Sequence, residues 1–262
     1  MITAYYKNSR GDILNLLEYP FCAADAEFFN SDWTESTSVY ERTVQVDVWG
    51  TDDNDFAKNM EHLYSVISVD AEEATYGRLY VNDTFLRCRV QASKKTNWKG
   101  YVYSEVELTF TAPELAWVRE EKKTFFPQEE STAADGLDFT FDFPFDFADP
   151  RRGSAAWEID HVTASDFQMI VYGPCVNPKV LINDHAYEVF TTLEANEYMI
   201  IDSRDYTAYK YLTNGTEQSL FDNRGLEQSI FEKIPSGMLR INWSGDFGFD
   251  LTLFLERREA QW

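Results

Sequence analysis

The stretch Leu137-Asp138-Phe139-Thr140-Phe141-Asp142-Phe143-Pro144-Phe145-Asp146-Phe147 sets five phenylalanines on every second position, with Thr140, Asp142, Pro144 and Asp146 between them. A β-strand turns alternate side chains to opposite faces, so the five rings share one face and the polar residues share the other. A helix would scatter the same rings around its circumference, and the spacing therefore predicts a strand. Burying one such ring is worth roughly 1.5–3 kcal/mol, so this face needs a partner sheet. Pro144 cannot donate a ladder hydrogen bond, which makes the segment an edge strand or two short strands meeting at a bend. Standing near the middle of the chain and followed by further strands, it reads as the opening of a second domain.

The residues before it support that division. From 119 to 136 the chain is charged, carries Pro127 and ends in Ser131-Thr132-Ala133-Ala134-Asp135-Gly136, the composition of a linker. The reading is therefore two domains, 1–130 and 131–262, mostly β with one long helix. In the first, residues 2–6 and 13–17 flank an Arg10-Gly11-Asp12 turn and predict a hairpin. Residues 18–38 are aromatic but aperiodic, with Phe21, Phe28, Phe29 and Trp33 among acidic residues. They read as a long loop or arm whose rings need another surface, in this chain or in a neighbouring one. Val44, Val46 and Val48 restore strand alternation. Thr51, Asp52 and Asp53 offer N-cap oxygens, and Phe56, Met60, Leu63, Tyr64 and Ile67 then share one face of a helix over 53–69. An Asn82-Asp83 turn joins strands at 77–81 and 86–92. Lys94, Lys95 and Lys99 fall in the loop that follows, and 101–111 is a long strand carrying Val102, Val106, Leu108 and Phe110 on one side.

The second half reads as short strands at 156–162, 167–172, 179–182, 186–190, 199–202, 206–212, 238–243 and 249–255, separated by Gly, Pro and Asn turns. Strands at such spacing without intervening helices suggest a β-sandwich.

Charge narrows the function. The chain has 23 Lys and Arg against 45 Asp and Glu, a formal net charge of −22. The excess is spread along the chain, with 13 basic and 23 acidic residues up to Glu130 and 10 and 22 after it. Such a surface repels phosphate backbones, which disfavours gripping nucleic acid but not letting it pass. Cys22, Cys88 and Cys175 are few and far apart, so buried thiols are expected rather than a disulfide framework. No stretch of about 18 apolar residues suggests a membrane anchor, and the first residues lack the pattern of a secretory signal, so synthesis in a cytoplasm is expected.

Catalytic machinery is not visible. Asp142 and Asp146 share one strand face and Asp149 follows, whereas a glycosidase needs two carboxylates opposed across a cleft. His62, His161 and His185 are isolated, with no HExxH and no His-Cys cluster for zinc. No GxSxG or Walker sequence is present. The expectation is no enzyme, no cofactor and no metal. Trp157, Trp243 and the tyrosines at 206–211 leave a carbohydrate-binding sandwich as an alternative, since aromatic platforms stack on sugars, although such rings more often fill cores. A β-sandwich hydrolase is a weaker third reading.

The order of features resembles one known family. A short N-terminal hairpin, an aromatic loop, a Val-alternating strand, one helix and the Gly77-Arg78-Leu79-Tyr80-Val81-Asn82 hairpin precede an acidic linker. The all-β half then carries Gly173-Pro174, Asn177-Pro178, Ile200-Ile201-Asp202, Ile230-Phe231-Glu232-Lys233-Ile234-Pro235-Ser236-Gly237 and Glu256-Arg257-Arg258-Glu259 before a final Trp262. This resembles the distal tail proteins of long, flexible-tailed bacteriophages (siphoviruses) over nearly the whole chain, with Ala260-Gln261 standing where the family has a proline. The resemblance implies a structural virion protein made in the bacterial cytoplasm and placed at the tail tip or baseplate. It implies an N-terminal β-sandwich-like domain with a helix packed on it that forms a ring, usually of six copies, and a galectin-like C-terminal sandwich projecting outward. The implied partners are further copies of the chain, the tail tube protein, the tape measure protein, the tail-tip hub or tail-associated protein, and the receptor-binding or baseplate proteins. DNA would pass through the ring without specific binding. Phe21, Phe28, Phe29 and Trp33 are the candidate contact between protomers, because aromatic residues are enriched where surfaces meet.

Overall fold

The computed structural model describes residues 2–36, 38–100, 102–128 and 153–261. The phenylalanine stretch at 137–147 and the carboxylates Asp142, Asp146 and Asp149 lie outside the described residues. Among the described residues the fold is mostly β with one long helix. Where the sequence reading cuts once, between 130 and 131, the contacts divide the chain into Met1–Glu120 with Glu256–Trp262, and Glu121–Leu255.

The first unit contains β1 (Ala4–Lys7), β2 (Ile13–Asn15), β3 (Phe21–Ala23), a 3-10 turn at Asp25–Phe29, β4 (Thr34–Ser36), β5 (Val39–Trp49), α1 (Asp53–Glu72), β6 (Gly77–Val81), β7 (Thr84–Lys99), β8 (Tyr103–Ala112) and the start of β9 (Trp117–Phe125). Strand β7 serves two antiparallel ladders. Its first residues sit between β6 and β9 in the order β2-β1-β6-β7-β9. From Arg89 onward it pairs with β8, which pairs with β5, and β3 and β4 lie end to end along the other edge of β5. Asn82 takes a positive φ of 49° in the β6–β7 turn, a conformation that asparagine tolerates well.

Val44, Val46 and Val48 of β5 meet Val106, Leu108 and Phe110 of β8 in one core with the helix residues Phe56, Leu63, Val66 and Ile67. Asp52 caps α1, its carboxylate accepting from the backbone N–H groups of Asn54 and Asp55, both at 2.9 Å. The expected helix face is displaced on one side. At 3.6 residues per turn, Tyr64 lies roughly 80° to one side of Phe56 and Val66 roughly 80° to the other. The core takes the Val66 side and leaves Tyr64 52% exposed.

The second unit contains the rest of β9, then β10 (Gly153–Ile159), β11 (Asp166–Tyr172), β12 (Cys175–Val176), β13 (Lys179–Ile182), β14 (His185–Glu188), β15 (Thr192–Leu193), β16 (Tyr198–Asp202), β17 (Thr207–Tyr211), β18 (Glu217–Ser219), β19 (Gly237–Trp243) and β20 (Phe249–Arg257). One sheet runs β18-β17-β16-β11-β20 and a second runs β10-β19-β13-β14. Phe167, Met169, Val171, Ile201, Leu251 and Leu253 of the first sheet share a core with Val180, Ile182, Leu239, Ile241 and Trp243 of the second, which makes the unit a two-layer β-sandwich.

Four readings are corrected. Residues 119–125, the first part of the span 119–136 read as linker, belong to strand β9. Lys94, Lys95 and Lys99 lie in β7 and not in a loop. Both segments carry polar residues on both faces, and period-2 alternation shows only when one face is buried. Val102 stands outside β8 and is exposed, and Cys22 is an exposed thiol while Cys88 and Cys175 are buried.

Candidate interaction surfaces

The four rings expected between protomers fold onto their own chain. Phe21, Phe28 and Phe29 are 3%, 1% and 7% exposed in the first unit's core, and Trp33 packs partly buried against it. Arg42, itself buried, fastens the segment. Its guanidinium donates to the backbone carbonyls of Asn30 (2.9 Å) and Glu27 and pairs with the carboxylates of Glu27 (3.1 Å) and Asp32 (3.2 Å). The other surface that these rings need is therefore supplied within this chain. The sequence signal for it was an arginine set two residues before an otherwise valine-lined strand face.

A second polar centre sits at the end of α1. The Asp70 carboxylate, fully buried, accepts hydrogen bonds from the Tyr6 hydroxyl, from Thr75 Oγ1 (2.7 Å) and from the Ser9 backbone N–H (3.1 Å). Burial pulls its pKa upward, and the bonds from Tyr6, Thr75 and Ser9 outweigh burial, so the carboxyl is held below its usual value. The same interactions push Tyr6 up, burial first. Every oxygen is satisfied, and the cluster ties the β1–β2 turn to the helix end. Its role is structural, with no group left free to act on a substrate.

The outer face of β5 and β8 is polar and ordered by register. Thr43 faces Thr109 with hydroxyls 3.2 Å apart, Gln45 faces Glu107, Asp47 faces Glu105, and Trp49 faces Tyr103 with ring centroids 4.4 Å apart. Lys94 of β7 pairs with Glu107 at 3.2 Å. The Tyr103 hydroxyl lies 3.1 Å from Glu105 and 3.2 Å from Asp47, and burial followed by the bond to Glu105 pushes its pKa up to about 12. Beyond Arg89, β7 has β8 on one side and no strand on the other among the described residues. This leaves the backbone of Ala92 to Asn97 with no strand paired on that side, and the Trp98 ring is exposed beyond it.

In the second unit the rings proposed for sugar stacking divide. Trp243 is only 6% exposed, its Nε1 donating to the carbonyl of Phe247 at 3.1 Å, and Trp157 packs on the core beneath the Lys123 ammonium. Tyr206 and Tyr209 are exposed. A shallow groove of about 510 Å³ is lined by Asn177, Lys179, Asn242, Ser244 and Asp246, with Leu181 and the edge of Trp243. It offers polar groups but no open aromatic face. The three histidines stay apart, His62 near Phe21 and His185 on the carbonyl of Ser229 at 2.8 Å. Among the described residues no three His, Cys, Asp or Glu side chains gather as a metal site requires. No helix among them is long and apolar enough to cross a membrane.

A two-unit β chain with a single capped helix laid on the first unit and a sandwich forming the second is a recognisable class, and solved structures place it. No protein-family model matches the chain, and no curated protein does. A chain of the phage P2 baseplate in its activated conformation with calcium has a TM-score of 0.59 to this one at 10% identity, covering 99% of this chain and 100% of that chain. The strontium form gives the same values. The Dit protein of phage SPP1, described as a paradigm of the hub adsorption apparatus in phages infecting Gram-positive bacteria, has a TM-score of 0.54 at 9% identity, covering 98% of this chain and 99% of Dit. The fold of this chain is shared from end to end with these phage baseplate and Dit chains.

Proposed function

We propose that this chain is a structural protein of a long-tailed phage tail tip, whose first unit closes with its copies into a ring, six in number as is usual in the family. The ring would join the tail tube to the hub and to the receptor-binding or baseplate proteins, with the tape measure protein and then the genome passing through it. The observation that carries this reading is the end-to-end match of fold to the P2 baseplate chain and SPP1 Dit, with almost no residue of either partner left over. Two features of the chain agree with it. The open edge of β7 is a template for strand addition by a neighbouring copy. The charge of −22 gives DNA no counterion-release gain with which to stick. The second unit, a galectin-like sandwich in this reading, would project outward. The role calls for placement and assembly and for no chemistry of the chain's own.

Light scattering and electron microscopy of the purified protein, alone and beside its tail tube protein, test the proposal. Closed rings of uniform size are expected. A strictly monomeric species at high concentration, without rings even beside the tube protein, would overturn it.

A further inference from the structure

Three rows of side chains cross the outer face of β18-β17-β16-β11-β20. Register sets Tyr172, Tyr198 and Tyr211 in one row with Glu217 at its β18 end. The next row is Ile170, Ile200 and Tyr209, with Asp250 at its β20 end. The third is Thr252, Gln168, Asp202 and Thr207. A sheet packed on a core by one side and wetted on the other alternates apolar-in and polar-out. The outer face of β5 and β8 follows that rule with Thr43, Gln45, Asp47, Glu105, Glu107 and Thr109. The second unit's other sheet has a mixed outer face, with Ser154, Lys179, Arg240 and Asn242 among Ala156, Leu181 and Met238. The tyrosine face departs from that rule. Its first two rows carry only Tyr and Ile on β11, β16 and β17, between Glu217 and Ser219 of β18 and Asp250 of β20, and Tyr172 and Tyr209 are 41% and 36% exposed.

We infer that this face docks a short basic and partly apolar segment of a partner protein. The ring geometry argues against sugar. Tyr198 and Tyr211 stack on each other at 4.9 Å with planes 9° apart, so each covers the other's face and presents its edge and hydroxyl outward. A pyranose stacks on an open ring face, and this pair spends one face of each ring on the other. Size argues against a second copy of this chain. Strands about 4.8 Å apart and same-face residues about 6.8 Å apart along a strand give the patch on the order of 200–300 Å². A stable specific interface needs about 800 Å² from each partner, and two copies each at −22 repel. An extended peptide segment fits the area.

Charge selects its sign. At one end of the face Asp250 is already held by the Lys122 ammonium (2.6 Å) and the Tyr172 hydroxyl (2.9 Å), and in the third row Asp202 is clamped by Arg204 (2.7 Å). Glu217, exposed at the end of the tyrosine row, has no ion-pair partner among the described residues. An arginine or lysine of the segment would complete that position while its apolar neighbours cover Ile200 and Tyr209.

The inference concerns the second unit and stands or falls independently of ring formation. Its test is selection of a displayed random dodecapeptide library on the immobilised full chain, followed by binding of the selected peptides to Ile200→Thr/Tyr209→Ser and to Glu217→Gln. The expected peptides carry Arg or Lys beside apolar residues, lose about tenfold or more in affinity on the double variant, and weaken with Glu217→Gln and with added salt. Circular dichroism confirms that the variants fold, and Tyr209→Ser alone replaces the double variant if it does not. Enrichment of acidic peptides, or equal binding to wild type and variants, would overturn the inference. So would glycan-array binding that the double variant abolishes, or a wild-type dimer in sedimentation that the double variant breaks.

Discussion

Asp70 and Gly77 show how closely single residues are held in the first unit. A carboxylate without exposure survives there because three donors reach it, and its lowered pKa links stability to pH. Because the folded value lies below the unfolded one, its contribution is complete above the ordinary carboxylate value near 4 and fades as pH falls through the folded value. Asp70→Asn is expected to cost about 1–3 kcal/mol at neutral pH. In urea denaturation the gap between wild type and variant should narrow as the pH is taken well below 4, and a gap that stays constant would refute the assignment. Gly77 lies against the same cluster. A Cβ there would fall on the Lys7 carbonyl oxygen, Asp70 Oδ2 and Tyr6 Oη. The backbone carbonyl cannot move aside, so Gly77→Ala should lower stability by about 1–3 kcal/mol. Thermal denaturation reads this directly, and an unchanged midpoint would mean that the cluster gives way more easily than its geometry implies.

Helix α1 is the element whose sequence and structure agree most closely, and its cap explains why. Asp52 satisfies two backbone N–H groups that the first turn leaves open, and Asp53 and Asp55 sit at the positive end of the helix dipole. Asp52→Ala should cost about 1 kcal/mol in chemical denaturation while Asp52→Asn retains most of the stability, since an amide oxygen can still accept. Equal losses for the two variants would point to charge and not to capping. Strand β7 is the opposite case. Its second half has no buried face, so alternation is silent, and only pairing with β8 shows that Lys94, Lys95 and Lys99 belong to a strand.

At the scale of the whole molecule, the open edge of β7 makes the ring reading testable by backbone chemistry alone. Consecutive N–H groups of an antiparallel strand point alternately to the partner and away from it. Lys95 and Thr96 lie in regular register opposite Val106 and Glu105, so one of the two donates toward β8 and the other toward the open side. Lys95→Pro and Thr96→Pro should therefore behave differently. One should lower the stability of the isolated chain by a few kcal/mol, and the other should leave it nearly unchanged while abolishing closed rings in electron microscopy. If neither variant disturbs the rings, the edge of β7 is not where copies meet.

Period-2 and period-3.6 patterns were legible wherever one face of an element is buried: the valines of β5, the helix, the hairpin at Asn82 and most strands of the sandwich. Those patterns, with the acidic balance, determined the mostly β class and the lack of visible catalytic motifs. They could not say where the aromatic segment at 21–33 would find its partner, because burial of Phe21, Phe28 and Phe29 depends on Arg42 and a core assembled from distant strands. Nor could they show that Ala260 returns to the first unit's core, where Asn82 Nδ2 donates to the Gln261 carbonyl at 2.9 Å across the length of the chain. Local alternation records which face of an element is dry, and the sequence by itself carries that. Which other element keeps it dry, and which face stays apolar yet open as the tyrosine rows do, is set by contacts between residues far apart in sequence, and only the tertiary structure decides them.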